Sequence, residues 1–395
     1  MMASPVETTL LSIEAGAQHL MEILRGQASA AGLPPKLRAE WQALAQRADL
    51  LSLFTEQRLK EDWKYTPVEF FRRQWVLGQL REAMADFPVV GSWPFAQQVP
   101  PSEDLPALRS LPKPTSPWEV LLASAPAHAH YVVHKQERVL LQPAVAEGLV
   151  PLFVTVSVAP HAEAEVWLLP SVQGFLLLRL HIDVGTGGRV RFFYPTDIGE
   201  GHLYGIFTAE VAQEARIETY DMTVSALWKR SEMKVRLAGP GAAAYLHGAS
   251  RIPSRHCVDQ AIRIEHAAPH TESNQLFKSL VYAEGRSAFQ GRIYVHREGQ
   301  KTNAYQSHKA LLWERSAVAY SRPQLEIFAD DVRCTHGVTT GFVQGHMLEY
   351  LRVRGMPEAQ ARQLLAGAFL AEVLGKVPYS ALTDELYRRM GFAWD

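Results

Sequence analysis

The sequence predicts a mainly β protein whose core is a parallel β-helix between N-terminal and C-terminal helical domains. Short segments of alternating apolar residues begin near residues 154, 178, 206, 235, 262, 293 and 325, roughly 24–32 residues apart, and a regular spacing indicates a repeat architecture. Between these segments there is no helical pattern of the length that a βαβ crossover requires. An antiparallel sandwich is the alternative, but its hairpin signals, Asn-Gly and Asp-Gly, do not occur between residues 128 and 342.

The N-terminal part has the pattern of helices. Over residues 4–86 the apolar positions recur at mostly three- and four-residue steps, as in Leu10, Ile13, Ala17, Leu20 and Leu24. Residues 87–117 are dense in proline, which removes backbone donors and blocks helices, so we predict a linker or an extended wrap there. The predicted N-terminal domain, with this linker, covers residues 1–117.

The predicted β-helix core covers residues 118–342, and helices return in a C-terminal domain of residues 343–395. Pro357 and Glu358 have the composition of a helix start, and Gly375 and Pro378 that of its end. An open β-helix needs its ends covered because unpaired strand edges promote aggregation. Capping the core and binding a partner are equally good interpretations of the C-terminal helices.

Composition excludes several classes of function. The 40 basic and 41 acidic side chains nearly cancel, so no basic surface favours nucleic acid. No apolar run is long enough to span a membrane, and residues 1–16 lack the pattern of an export signal, so we expect a cytoplasmic protein. The only cysteines, Cys257 and Cys334, are too few for a disulfide framework or a four-cysteine site. No phosphate-binding loop motif occurs, so we expect no ATP hydrolysis by this chain.

The segment from Pro323 to Gly337 holds the best candidates for chemistry. Cys334 and His336 lie two residues apart, and that spacing in a strand puts both on one face. A thiolate and an imidazole can both bind a soft metal or a cluster iron, although two ligands do not complete a site. Two other interpretations remain open: a cysteine nucleophile activated by the histidine, and a buried structural cysteine.

Asp330 and Asp331 suggest a different function. Many β-helix proteins act on polysaccharides, and paired carboxylates carry out glycoside hydrolysis. Adjacent strand residues point to opposite faces, however, so a solvated turn is the simpler interpretation. Four further histidines of the β region, His256, His266, His270 and His308, lack the spacing of a metal motif and are expected to be structural.

Several separated motifs resemble the SufB/SufD family of iron–sulfur cluster assembly proteins. The densest resemblance runs over about residues 255–375 and includes Asp330-Asp331-Val332 and Cys334-Thr335-His336-Gly337. It also includes, in order, Phe277-Lys278, Phe289-Gln290-Gly291-Arg292-Ile293, Gln300-Lys301-Thr302, Tyr305-Gln306 and Tyr350-Leu351-Arg352. Near the N-terminus, Glu61–Pro67, otherwise interpreted as a packed corner or an aromatic anchor, resembles an element of the SufD branch.

The resemblance implies a right-handed β-helix and a non-catalytic scaffold subunit that binds SufB and the ATPase SufC. SufC is expected on the C-terminal helices, and SufB on the last β-helix turns. Cys334 and His336 match the family's Cys-x-His element, so they are candidate ligands of a nascent cluster at the SufB interface, with His336 the stronger. We expect no tightly bound cofactor in the isolated chain, a transient iron–sulfur cluster in the complex, and a homodimer when the chain is isolated.

Overall fold

The computed structural model describes residues 97–98, 127–146, 149–343 and 345–392. The predicted N-terminal helical domain, including Glu61–Pro67, lies outside these residues except for one short strand at Gln97–Gln98. In chain order the strands are β1 Gln97–Gln98, β2 Ala127–Val133, β3 Gln136–Leu141, β4 Ala144–Val145, β5 Leu149–Val158, β6 Glu163–Leu168, β7 Ser171–Val172, β8 Phe175–Val184, β9 Arg189–Asp197, β10 His202–Val211, β11 Arg216–Ser225, β12 Trp228–Leu237, β13 Ala243–Ile252, β14 Cys257–His266, β15 Glu272–Val281, β16 Arg286–Val295, β17 Asn303–Leu312, β18 Val318–Ile327 and β19 Arg333–Phe342. The described helices follow as α1 Gly345–Val353, α2 Glu358–Leu374 and α3 Ser380–Arg389.

The strands form a parallel β-solenoid of about eight turns, which confirms the predicted parallel coils. One sheet, which we call sheet A, has the order β1-β3-β6-β9-β11-β13-β15-β17-β19. The other, sheet B, has the order β18-β16-β14-β12-β10-β8-β5-β2. Every pairing within them is parallel, and each strand pairs with its counterpart one turn away, for example β17 with β19. Hairpins of the alternative sandwich do not occur in the described residues.

Inward-facing residues of the two sheets form the main core. Because paired residues of in-register parallel strands point to the same face, each inward position stacks into a column that runs along the solenoid. Val166, Phe192 and Leu246 belong to one such column and are fully buried in the core cluster. These columns are the physical origin of the period-2 pattern in the sequence.

The corner at which each turn enters sheet A is built from residues with positive φ. Residues 161, 187, 214, 241, 270 and 301 all adopt this conformation. Each donates its backbone N–H to a carbonyl of the next turn. The first of these hydrogen bonds joins His161 to Thr186 O at 2.9 Å, and the last joins Lys301 to Asp331 O at 2.6 Å. Only Gly187 and Gly241 in this row are glycines, so the ladder of hydrogen bonds holds the other four in a conformation that L-residues disfavour.

A second core joins the C-terminal helices to the outer face of sheet A. Trp167, Phe193 and Tyr220 stack along that face, with centroid separations of 4.3 and 5.0 Å. They form one cluster with Leu370 of α2 and Leu386 of α3. Sheet A is therefore apolar on both faces between β6 and β15, which explains runs such as Phe192-Phe193-Tyr194 in β9.

Candidate functional site at the open end of the solenoid

The last turn of the solenoid ends both sheets. Strands β18 and β19 are terminal in their sheets, and no other strand of the described residues pairs with their outer edges. Several large apolar side chains are exposed around this end: Tyr305, Tyr320, Ile327, Phe328 and Phe342. We call this end the mouth of the solenoid.

Cys334 and His336 both face inward at the mouth. Cys334 is in register with Ala304, and His336 with Gln306, one turn deeper. Gln306 is fully buried and reaches across the interior to the backbone of Gly291 in sheet B, so its column faces inward. His336 continues this column but is exposed, because β19 is the last strand of sheet A in the described part of the chain. The structure therefore places the two side chains on one face, at the accessible end of the interior.

Cys334 is half-buried and packs against apolar neighbours. Its cluster includes Leu325, Val332 and Ile293. Burial raises the pKa of the thiol, partly offset by a backbone hydrogen bond at Ala304. The isolated chain thus favours the protonated thiol, and binding of a metal would have to displace that proton. This environment does not activate a cysteine nucleophile, which requires a lowered pKa.

The floor of the mouth is polar. His308 is fully buried one turn below β19, where its ring stacks on Phe289 with centroids 4.5 Å apart. Its Nδ1 lies 2.7 Å from Ser321 Oγ, and burial lowers its pKa to about 3. In the preceding turns, the column of His308 holds Phe277, and the column of Gln306 holds Gln275 and then Leu246. Gln306 was not predicted as a candidate site residue from the sequence. Polar residues at consecutive inward positions of β17 are the signal that could have indicated it.

Comparison with known proteins identifies the family. The family model described as the SUF system FeS cluster assembly SufBD core domain matches residues 151–369. The chain belongs to this family. SufD of Escherichia coli is 29% identical over 181 residues, which are 46% of this chain and 43% of that protein. A SufBD family iron–sulfur cluster assembly protein of Synechocystis is 29% identical over 188 residues, 47% of this chain and 42% of that protein. The chloroplastic protein ABCI7 of Arabidopsis thaliana is 29% identical over 195 residues, 49% of this chain and 41% of that protein.

The chain spans less than half the length of each of these three relatives. They lend no support to the alternative of a polysaccharide-active enzyme, and neither does the geometry of Asp330 and Asp331. Both residues lie in the exposed turn between β18 and β19. The Asp331 carboxylate forms an ion pair with Lys301, and its backbone N–H donates to Gln300 Oε1 at 3.1 Å. These contacts give Asp331 a structural role in the turn.

The other histidines named from the sequence have structural environments. His266 is buried between Thr271 and Ser273, at 2.8 and 2.9 Å, and burial lowers its pKa to about 4. His256 Nδ1 lies 2.8 Å from the Ser254 carbonyl, and His270 is one of the positive-φ corner residues. Cys257 is buried, and burial raises its pKa to about 12. Within the described residues, no group of three or more His, Cys, Asp or Glu side chains is arranged to hold a metal ion.

The C-terminal helices differ in how they contact the solenoid. Helix α1 has no buried residue and exposes Met347, Tyr350 and Val353. Helix α2 is fixed by an ionic contact in which Glu372 pairs with Lys278 at 2.7 Å and with Lys309 at 3.3 Å. No helix in the described part of the chain has the length and apolar character needed to cross a membrane.

Proposed function

We propose that this chain is a SufD-like, non-catalytic scaffold subunit of iron–sulfur cluster assembly, which acts in the cytoplasm. The observation that carries the proposal is the mouth of the solenoid, where Cys334 and His336 lie side by side on the inward face of a terminal strand. Membership of the SufBD family and the similarity to the E. coli protein named SufD support the same role.

The mouth is suited to binding a second solenoid. Terminal strands have rows of backbone donors and acceptors that pair readily with another sheet edge. Exposed aromatic residues such as Phe328 and Phe342 surround these edges and supply the apolar anchors typical of protein interfaces. SufB is the proposed partner there. Without SufB, the same surface would pair with a second copy, which gives a homodimer of the isolated chain.

The nascent cluster would be cargo at this interface. Cys334 and His336 provide two donors of the kinds that bind cluster iron, and a four-coordinate iron needs further donors. SufB or an exogenous thiol would supply them, so the isolated chain would hold no tightly bound cofactor. His336 is the stronger ligand candidate because it is exposed, whereas Cys334 is half-buried with a raised thiol pKa.

The C-terminal helices are the proposed binding site for the ATPase SufC. Helix α1 projects three apolar side chains from a helix with no buried residue, and Val353 is 82% exposed. Helices α2 and α3 pack on sheet A, so a force applied to α1 would reach the solenoid through them. ATP hydrolysis would belong to SufC, since this chain lacks a phosphate-binding loop.

Two matched substitutions separate the proposed surfaces. The chain would be co-expressed with SufB and SufC subunits and the composition of the purified complex measured. Phe328→Asp places a charge at the mouth and should remove SufB while SufC stays bound. Val353→Asp places the same charge on α1 and should remove SufC while SufB stays bound. Loss of both partners, or of neither, from both variants would contradict the proposed division.

A third variant tests the cluster site itself. His336→Ala should leave the composition of the complex unchanged but abolish iron and sulfide loading, measured by chemical analysis and by visible absorption. Asp331→Asn is the control because Asp331 lies in the preceding turn and pairs with Lys301. Full cluster loading of the His336→Ala complex would remove His336 from the site.

A further inference from the structure

Gln306 lies directly below His336 and holds an unused hydrogen-bond acceptor. The side chain is fully buried, and Nε2 donates weakly to the Gly291 carbonyl at 3.4 Å. Only the NH₂ group can donate to a carbonyl, so this contact identifies the other amide atom as Oε1. That oxygen is buried and has no hydrogen-bond partner.

Gly291 makes room for the Gln306 amide. A Cβ atom at position 291 would lie 2.3 Å from Gln306 Nε2 and 2.5 Å from Oε1. Any other residue at position 291 would therefore displace the amide from the interior. The facing strands thus hold Gln306 in place while one of its polar atoms is left unpaired, which costs about 1–3 kcal/mol for a buried group.

Position and chemistry point to His336 as the group that Oε1 serves. The two residues are register partners on neighbouring strands, whose backbones lie about 4.8 Å apart. Both face inward, and the ring of His336 makes no hydrogen bond in the described part of the chain. Metal-binding histidines nearly always donate their second ring N–H to an oxygen acceptor, which fixes the tautomer and the orientation of the ring.

We propose that Gln306 is a positioning residue for His336. The exposed ring of His336 would turn toward the floor of the mouth, where one ring N–H would donate to Gln306 Oε1. The lone pair of the other ring nitrogen would then be directed out of the mouth. The inference deepens the proposed function, because it concerns the orientation of the proposed cluster ligand. It requires no metal, so the hydrogen bond can be tested in the isolated chain.

Gln275 provides a matched control. It is the register partner of Gln306 one turn deeper, is equally buried, and has no partner for either amide atom. Two strand spacings separate it from His336, which is too far for a direct hydrogen bond. A general effect of losing a buried glutamine should therefore appear equally in Gln275→Leu and Gln306→Leu.

The first experiment measures the tautomer of His336. The full-length chain is labelled with ¹⁵N-histidine, and His336→Ala identifies the ring signals in the spectra. We expect one neutral tautomer for His336 in the parent, in Gln275→Leu and in Gln306→Glu, which keeps the acceptor oxygen. Gln306→Leu should show a mixture of both tautomers. An unchanged tautomer ratio in Gln306→Leu, as expected if a buried water occupies Oε1, would overturn the proposal.

The second experiment links the hydrogen bond to metal binding. Co²⁺ is titrated into the same chains, and its binding at His336 is followed by paramagnetic loss of the ring signals. Gln306→Leu should weaken binding about 10–100-fold, as for other second partners of metal-binding histidines, and Gln275→Leu should not. Equal binding by Gln306→Leu and the parent would count against the positioning role. The two ideas can fail separately. If Gln306→Leu changes the tautomer of His336 but complexes with His336→Ala load clusters normally, the positioning role stands and only the proposed function is contradicted.

Discussion

The middle and the mouth of the solenoid use the same inward columns with opposite results. In the column of Val166, Phe192 and Leu246, each residue is covered by its neighbours on both sides and fully buried. His336 ends that column and is exposed. An inward side chain is therefore shielded from solvent only where a further turn stacks on it. At the mouth, inward side chains are accessible to a partner although they do not lie in a separate pocket.

The middle also contains charge, but there the charge is fully paired. Lys229 Nζ crosses the interior to Asp221 Oδ1 at 2.5 Å and to the hydroxyls of Thr196 and Thr223 at 3.0 and 2.9 Å. Gln260 donates to the second Asp221 oxygen at 2.9 Å. The charges of Lys229 and Asp221 are thus paired within the chain, whereas the ring of His336 at the mouth is exposed to solvent. This difference is the basis for testing the middle by its stability and the mouth by the binding proposed for it.

The largest expected effect is from breaking the buried pair in the middle. Lys229→Met leaves Asp221 as an uncompensated buried charge, so the free energy of unfolding should fall by about 3–5 kcal/mol in urea titrations. The double variant Lys229→Met/Asp221→Leu removes both charges and should recover much of that loss. A loss below about 1 kcal/mol in the single variant would mean that water reaches this part of the interior.

A smaller effect compares two positions of one column. Leu246→Ala in β13 leaves a cavity between two covered neighbours, and we expect a loss of about 2–5 kcal/mol in unfolding free energy. His336→Ala at the exposed end should change it by less than about 0.5 kcal/mol. Equal losses would show that the mouth is packed as tightly as the middle, contrary to the proposed division of roles.

Much of the fold follows from the local sequence pattern. That pattern does not tell which face of each strand points into the solenoid. Alternation predicted the strands, and their regular spacing predicted parallel coils. Lys229 interrupts that alternation, because a long polar side chain stands at an inward position and is paired only through the tertiary fold. Likewise, both faces of sheet A are apolar where α2 and α3 cover it, so alternation there does not distinguish inside from outside.

The site was predictable to a similar extent. A spacing of two placed Cys334 and His336 on one face, and that follows from strand geometry alone. Whether that face points inward depends on the register of β19 with β17. The exposure of His336 depends on the absence of a following turn in the described chain. Gln306 was not found, because its role depends on a residue 30 positions away in sequence (336 − 306) and on the space left by Gly291.

A pH series locates the boundary between the sealed and open regions. Burial lowers the pKa of His308 to about 3 and that of His266 to about 4, from an ordinary 6.5. Below that ordinary value the unfolded chain takes up protons that the folded chain excludes. Stability should therefore be retained above about pH 6.5 and fall as the pH drops toward 4, by at most about 1.4 kcal/mol per pH unit for each histidine.

Urea unfolding at several pH values would measure this slope, and His308→Gln should reduce it. If His308→Gln left the slope unchanged, the floor of the mouth would already be open to solvent, and the boundary would lie one turn deeper.

The smallest effect concerns the two cysteines. One lies in the middle turns and the other at the mouth, so their reaction with a thiol reagent compares access to the two regions without a substitution. Cys257 is buried on the outward face of β14, the face opposite to the inward-facing Gln260, and Cys334 is half-buried at the mouth. Iodoacetamide should modify Cys334 but not Cys257 in the folded chain, as determined by peptide mass spectrometry. The reaction should be slower than for a free thiol, because burial raises the pKa of Cys334 and lowers the fraction of thiolate. Both cysteines should react in denaturant. In the folded chain, binding of the proposed partner SufB should protect Cys334. Modification of Cys257 as fast as that of Cys334 would show that the mouth is no more accessible to a reagent than a buried position of the middle turns, which would contradict the description of the mouth as open.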